Sequence, residues 1–319
     1  YIDPPYNTGK EFIYPDRFQD NLETYLRYTG QVDEEGLKLS PNAETSGRYH
    51  TNWLNMMIPR LKLARNLLQN DGVILISIDD NEITNLRKVC DEVFGEENFV
   101  CCTTVVSNPR GRQSDTHVAS VHDYLVCYAK NSAECLIGGA PLTKDQRSEF
   151  KYSDEEGAYR LLGLRQRGAA SRREDRPDMF FPIYVDEDSS DISLSKKEGP
   201  QWKAVYPRKS DGSDSRWMWG KDKVARDMHL LVARLIETRG EFDIFVKDYL
   251  RKSGAERTRK FKTLWDAKYI NNQAGTQEVK ELLDSDAMSY PKPSGLLEDA
   301  CRLGCPDDGV VLDFFAGSC

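Results

Sequence analysis

Tyr1-Ile2-Asp3-Pro4-Pro5-Tyr6-Asn7 opens the chain, and its reading decides the fold. An apolar lead-in runs into an acid, two prolines and an aromatic, the pattern of a strand that stops abruptly and leaves Asp3 and Tyr6 on a stiff loop at its carboxyl end. Each proline fixes its own φ near −65° and biases the residue before it toward extended geometry, so Asp3, Pro4, Pro5 and Tyr6 are held in place with little entropy left to lose. Such a loop presents a carboxylate, a backbone carbonyl without a ladder partner and an aromatic face to one flat polar ligand. A purine with an exocyclic amine fits that description. On these residues alone, a strand-ending turn whose Asp caps a neighbour remains an alternative.

Further along, Trp53, Met57, Leu61, Ala64 and Leu68 recur at steps of three or four and predict a helix with one apolar stripe, ended by Asn70-Asp71-Gly72. Val73-Ile74-Leu75-Ile76-Ser77-Ile78 follows as a continuous apolar run, expected of a parallel strand buried on both faces. Asp79 and Glu82, three apart, predict a capping box for a helix marked by Ile83, Leu86, Val89 and Val93. The α-β-α succession implies a doubly wound α/β sheet whose ligands bind beyond the carboxyl ends of its strands. Residues 99–106 and 121–128 read as further strands at the sheet's far edge. Residues 10–50 are polar and broken by Gly and Pro, and read as a mobile loop beside the site.

Residues 132–285 lose this alternation. Turn-rich stretches separate short aromatic strands, and one helix is expected from about Lys221 to Glu237. Residues 208–262 hold 15 lysines and arginines against nine acids, although the whole chain of 319 residues carries a net charge of −8. Arg172 and Arg173 lie in a second basic cluster. In Arg216-Trp217-Met218-Trp219 cations alternate with aromatics, which suits phosphate contact and base stacking. A small domain with Trp217 and Trp219 in its core fits the same pattern.

From residue 290 the chemistry returns. Tyr290-Pro291-Lys292-Pro293-Ser294 leads into a helix containing Leu296, Leu297, Ala300 and Leu303, closed by Gly304 and Pro306. Val310-Val311-Leu312-Asp313-Phe314-Phe315 reads as a second buried strand. Ala316-Gly317-Ser318 then gives the small-residue loop that lets backbone amides approach a ligand.

The eight cysteines lack any C-x-x-C spacing, which predicts reduced thiols and no metal site. No apolar run approaches the roughly 18 residues of a membrane span, and no leader precedes the first strand. A cytoplasmic protein is the expectation.

Asp3-Pro4-Pro5-Tyr6 resembles the DPPY motif of DNA amino-methyltransferases, and Asn7-Thr8-Gly9 extends the likeness to the adenine-N6 form. Residues 51–99, with Ile76-Ser77-Ile78-Asp79-Asp80-Asn81-Glu82, and His122-Asp123-Tyr124-Leu125 resemble the modification (Mod) subunits of type III restriction-modification systems. Asp313-Phe314-Phe315-Ala316-Gly317-Ser318 is similar to the cofactor motif of S-adenosylmethionine-dependent methyltransferases. Lys292-Pro293-Ser294 resembles the segment that contacts the methionine end.

The resemblance implies a Rossmann-like, S-adenosylmethionine-dependent sheet, circularly permuted because the catalytic motif precedes the cofactor motif. It divides the chain into a catalytic part at 1–131, an inserted α+β target recognition region at 132–285 and the start of the cofactor part at 286–319. Asp3, Pro4, Pro5 and Tyr6 would be catalytic, and Lys292 to Ser294 with Asp313 to Ser318 would bind the cofactor. Arg172, Arg173, Arg216, Trp217 and Trp219 would touch DNA. The implied partners are double-stranded DNA with a flipped adenine, a restriction (Res) subunit and a second copy in a homodimer. Cytosine-N4 methylation and a catalytically inactive DNA-binding subunit are the rival readings. Both ends fall inside motifs, so the reading expects an incomplete sheet, and a chain that binds the cofactor weakly and is inactive as it stands.

Overall fold

The computed structural model describes residues 1–8, 49–111, 116–283 and 291–315. The predicted loop at 10–50 lies almost wholly outside these residues, as do Tyr290, Ala316, Gly317 and Ser318. The fold is mixed α/β in two compact units, residues 1–140 with 259–319, and residues 141–258.

In the first unit, helix α1 (Tyr49–Leu67) leads to strand β1 (Val73–Ile78), helix α2 (Ile83–Phe94) and strands β2 (Phe99–Val105) and β3 (Asp123–Ala129). β1 pairs antiparallel with β3, and β3 antiparallel with β2. On its other edge β1 receives Ile2 in parallel, through Ile2 N–H to the Leu75 carbonyl at 2.9 Å and Ser77 N–H to the Ile2 carbonyl at 3.0 Å.

The run at 73–78 is apolar on both faces because both faces are covered. Ile74, Ile76 and Ile78 alternate toward Trp53, Met57 and Leu61 of α1 and Leu86 and Phe94 of α2. Leu75 points the other way, into a core with Trp265, Leu296, Ala300 and Leu303. Each such isoleucine or leucine contributes about 1.5–3 kcal/mol through burial. The helix predicted after residue 294 forms as Ser294–Gly304, with Leu296, Ala300 and Leu303 on its buried face.

The expected capping box does not form. Helix α2 begins one residue after Glu82, whose side chain makes no cap bond. Asp79 instead accepts from the backbone and side chain of Asn81, both at 3.0 Å, closing a tight polar turn.

The expected strand at 310–315 does not form either. Val310 is 94% exposed and Val311 and Leu312 are each 51% exposed, because a buried strand needs ladder partners and cover on both faces. The segment meets the opening strand through a bond from the Tyr1 nitrogen to the Leu312 carbonyl at 3.3 Å and through Phe315, which shares a core with Ile2.

The boundary also differs from the expected 285. Leu264–Trp265 forms β4, which joins the first unit's sheet in parallel beside Thr104 and Val105 of β2. Helix α3 (Asn272–Leu283) belongs to the same unit, and α4 is the helix Ser294–Gly304.

The second unit is built from antiparallel strands. Leu231–Ile236, Glu241–Tyr249, Gly157–Gly163 and Tyr152–Asp154 form one sheet in that order, and Ile192–Ser193, Ile183–Asp186 and Trp202–Val205 form another. The helix expected to reach Glu237 ends at Arg226. Val224, Met228 and Leu231 are spaced as on a helix, but residues 231–236 pair with 241–246 across a turn at Gly240 (φ 64°), where glycine escapes the Cβ clash. Ladder pairing overrides the local period, because the strand seats Leu231 and Ala233 in the core with Ile244 and Val246.

Candidate active site

Ile2 lies beside Ile76, so Asp3, Pro4, Pro5 and Tyr6 extend past the carboxyl end of the parallel pair. The loop is pinned from α1, where Trp53 Nε1 donates to the Pro5 carbonyl at 2.7 Å. Pro4 is buried, and its carbonyl takes no hydrogen bond among the described residues.

Lys292 reaches the loop from the other end of the chain. Its Nζ donates to the Tyr6 hydroxyl at 2.6 Å and lies 3.4 Å from Asp3 Oδ1. That Asp3 oxygen is buried and accepts no hydrogen bond among the described residues. Burial is the main influence on the Asp3 carboxyl and raises its pKa above the usual value, with the Lys292 ammonium pulling in the opposite direction. The Tyr6 hydroxyl is pushed well up by burial first and then by the Asp3 charge, so it stays protonated.

The segment carrying Lys292 is itself supported. A Cβ at Gly275 of α3 would collide with the Pro291 carbonyl oxygen, so glycine there permits the close approach. Ser294 N–H donates to Glu278 Oε2 of α3 at 2.8 Å, and Pro293 is the cap residue of α4. Asp313 Oδ1 accepts from its own Phe315 N–H at 2.9 Å, and the rings of Phe314 and Phe315 pack 5.3 Å apart with Phe315 buried in the α1 core. A cavity of about 400 Å³ lies toward the amino end of β1, lined by Gly72 and Val73 together with Tyr1, Ile2 and Phe314.

The loop ends on Asn7, a 2% exposed residue in the left-handed region at φ 55°. Its Nδ2 donates to Glu82 Oε1 at 2.6 Å. Glu82 is fully buried, and the same Oε1 lies 2.7 Å from His50 Nδ1 while Oε2 accepts from Asn85 at 2.8 Å.

Over residues 1–319 the chain matches the N6_N4_Mtase family, described as DNA methylase. The chain belongs to this DNA methylase family. It is 32% identical over 323 residues to the EcoPI Mod subunit, a type III restriction-modification enzyme of Escherichia phage P1, a match covering all of this chain and 49% of that protein. It is 32% identical over 320 residues to the type II methyltransferase M.KpnI of Klebsiella pneumoniae, covering all of this chain and 68% of that protein. To the EcoP15I Mod subunit of Escherichia coli it is 28% identical over 338 residues, covering all of this chain and 50% of the relative. The chain thus spans about half the length of the type III relatives it matches.

In this DNA methylase chain the structure brings Asp3, Pro4, Pro5, Tyr6 and Lys292 together. Arg216 and Trp217 lie inside the second unit and not on its surface. Trp217 is fully buried and donates from Nε1 to the Phe181 carbonyl at 2.9 Å. Arg216 is 8% exposed and gives Nε to the Ala170 carbonyl at 2.6 Å. Their alternation reflects core packing with a satisfied guanidinium, which leaves neither group free to reach a phosphate or base. Trp219 is half-buried beneath Lys223, 4.6 Å above its ring. Arg172 and Arg173 are exposed, and Arg173 pairs with Asp214 at 3.0 Å.

Among the described residues no cluster of His, Cys, Asp or Glu could hold a metal ion, and no helix is long and apolar enough to cross a membrane. Glu82, Trp53 and Gly275 support the loop and the Lys292 segment through contacts that the sequence pattern does not show. Only Trp53 left a signal, as an amphipathic aromatic one turn into a helix facing the loop.

Proposed function

We propose that this chain carries the catalytic loop of an adenine-N6 DNA methyltransferase that uses S-adenosylmethionine. One observation carries the reading: a buried Asp3 oxygen that accepts no hydrogen bond among the described residues, with the Lys292 ammonium 3.4 Å away as its ion-pair partner, on a doubly proline-stiffened loop that also carries Tyr6. A buried acceptor left open costs about 1–3 kcal/mol. An amine arriving from a ligand satisfies it.

The parallel pairing of the opening strand with β1 and the return of Lys292 to it support a permuted Rossmann-like arrangement. Residues 141–258 would then be the inserted recognition region. Double-stranded DNA is the proposed substrate, and a restriction subunit the proposed partner, on the strength of the relatives' names.

The residues present suit the cofactor in their chemistry. The Lys292 ammonium matches the carboxylate of an amino-acid end, and Phe314 with Phe315 offers an apolar wall. When bound, S-adenosylmethionine supplies an electrophilic methyl group. Extruding the adenine from the duplex costs a few kcal/mol, and the Tyr6 ring would recover part of that by stacking. Asp3 Oδ1 and the Pro4 carbonyl would accept hydrogen bonds from the N6 amine, drawing its lone pair out of conjugation with the ring. Placement of these acceptors on a rigid loop carries the rate.

The test uses the full-length protein, radiolabelled cofactor and duplex DNA, followed by digestion to nucleosides and mass spectrometry. N6-methyladenine is expected. N4-methylcytosine would move the chain to the other half of its family, and no labelled nucleoside would overturn the proposal.

A second measurement isolates Tyr6. Tyr6→Ala is expected to lose activity in line with a lost base stack of about 1–3 kcal/mol, whereas Tyr6→Phe keeps the ring and loses only the Lys292 bond. Equal losses in kcat/KM for the two variants would count against stacking.

A further inference from the structure

We infer that Glu82 is a positioning residue for the methyl-transfer site, holding the far end of the Asp3–Tyr6 loop through Asn7. The inference rests on the proposed methyltransferase reading. Two local rules are broken at one place. Glu82 stands at the amino end of α2, where its carboxylate would favour the free backbone N–H groups, yet it makes no cap bond. Asn7 adopts a left-handed conformation that L-residues avoid, although asparagine tolerates it better than most.

Both departures serve the same contact, the 2.6 Å bond from Asn7 Nδ2 to Glu82 Oε1. A fully buried carboxylate is costly unless its lone pairs are filled. Here Asn7, His50 and Asn85 fill them, so the group is rigid from three sides. Asn85 and Glu82 belong to the α2 end of β1's helix connection, and His50 to the first turn of α1. Glu82 therefore ties the loop to both helices that flank β1. With Trp53 holding the Pro5 carbonyl, the loop is fixed on either side of Tyr6. Local rules surrendered together mark a site where function has outweighed stability.

The experiment measures single-turnover methylation by the full-length protein with Glu82→Ala, Glu82→Gln, Asn7→Ala and the alanine pair, beside hydrogen exchange over residues 2–8. Glu82→Ala is expected to lower kcat by about a hundredfold, the size of effect that a misplaced site produces. KM for DNA should stay within about threefold, because no ground-state contact is lost. Glu82→Gln should recover most of the rate, since its amide oxygen still accepts from Asn7 and Asn85 can turn its own amide to match. The alanine pair should lose less than the sum of the two single variants, because either one already breaks the bond that they share. Exchange over residues 2–8 should rise in Glu82→Ala while residues 74–78 stay protected.

Unchanged exchange over residues 2–8, additive losses in the pair, or a parental kcat in Glu82→Ala would each overturn the inference. Where Glu82→Ala fails to fold, Asn7→Ala removes the same bond and decides by the same readouts. A parent that methylates nothing would defeat the proposed function itself, and the exchange measurement would still report whether Glu82 holds the loop.

Discussion

Asp3→Ala in the full-length protein is expected to lower kcat by about a thousandfold, the upper end of what removing one preorganised polar group costs, with DNA affinity within about threefold of the parent. The asymmetry follows from the position of Oδ1. It is buried and accepts no hydrogen bond among the described residues, so in the resting fold alanine removes only the 3.4 Å ion pair with Lys292, and the larger effect falls on a group that arrives with substrate. Asp3→Asn should fall between parent and alanine, because its amide oxygen still accepts but no longer draws on a full charge. Filter binding and single-turnover transfer separate the two parameters. A kcat within about tenfold of the parent would remove Asp3 from the chemistry.

The same carboxyl sets a pH dependence whose sign is fixed. Burial raises its pKa in the folded chain, so the folded state holds the proton more tightly than the unfolded one. Between the ordinary value of 3.8 and the raised one, the contribution of Asp3 to stability therefore falls as pH rises. Activity moves the other way, since the ionised form is the acceptor, and it should rise through the upper edge of that window. Lys292 opposes the burial effect, so Lys292→Met should move the acid limb of kcat to higher pH. An acid limb unmoved in that variant would mean that another group sets it.

The stiffness of the Asp3–Tyr6 loop was legible because proline acts on its own backbone and needs no partner to do so. The α1 stripe and the β1 run were legible for a related reason: their periods report burial, and burial is what the structure supplies on the faces named. Glu82 was illegible. Its spacing to Asp79 satisfies a local rule, while its actual partners, Asn7 and His50, are 75 and 32 positions away. Lys221–Glu237 misled for the opposite reason, since Val224, Met228 and Leu231 obey a helical period until a hairpin partner at 241–246 claims the second half. At Val310–Leu312 the apolar run was read correctly as composition and wrongly as environment, for hydrophobicity cannot say whether a neighbour is present. The boundary at 285 failed because two residues, Leu264 and Trp265, are enough to tie a segment to a sheet, and two residues carry no period.

Trp217→Ala is expected to unfold the 141–258 unit at ordinary temperatures, which separates a core role from DNA contact. Trp217 is fully buried among Leu164, Phe181, Ile183, Val224, Leu231 and Ile244. Its backbone N–H reaches the Met179 carbonyl and the next N–H reaches that of Leu164, both at 2.9 Å, so the chain crosses the core at this residue. Truncating a buried tryptophan costs about 3–5 kcal/mol. The Phe181 carbonyl, which now accepts from Nε1, would be left unsatisfied at a further cost of about 1–3 kcal/mol. Against a usual domain stability of about 5–15 kcal/mol, the combined loss of about 4–8 kcal/mol removes about a quarter or more of the total. At about 4 °C per kcal/mol for a unit of this size, a fall in Tm of about 16–32 °C is the corresponding expectation. Trp219→Ala loses only a half-buried ring under Lys223 and should cost about 1 kcal/mol. Calorimetry on the two variants makes the comparison. A Trp217→Ala protein that melts with the parent yet binds DNA more weakly would mean that this ring leaves the core to meet the duplex, and the assignment of Arg216 and Trp217 to the interior would fall with it.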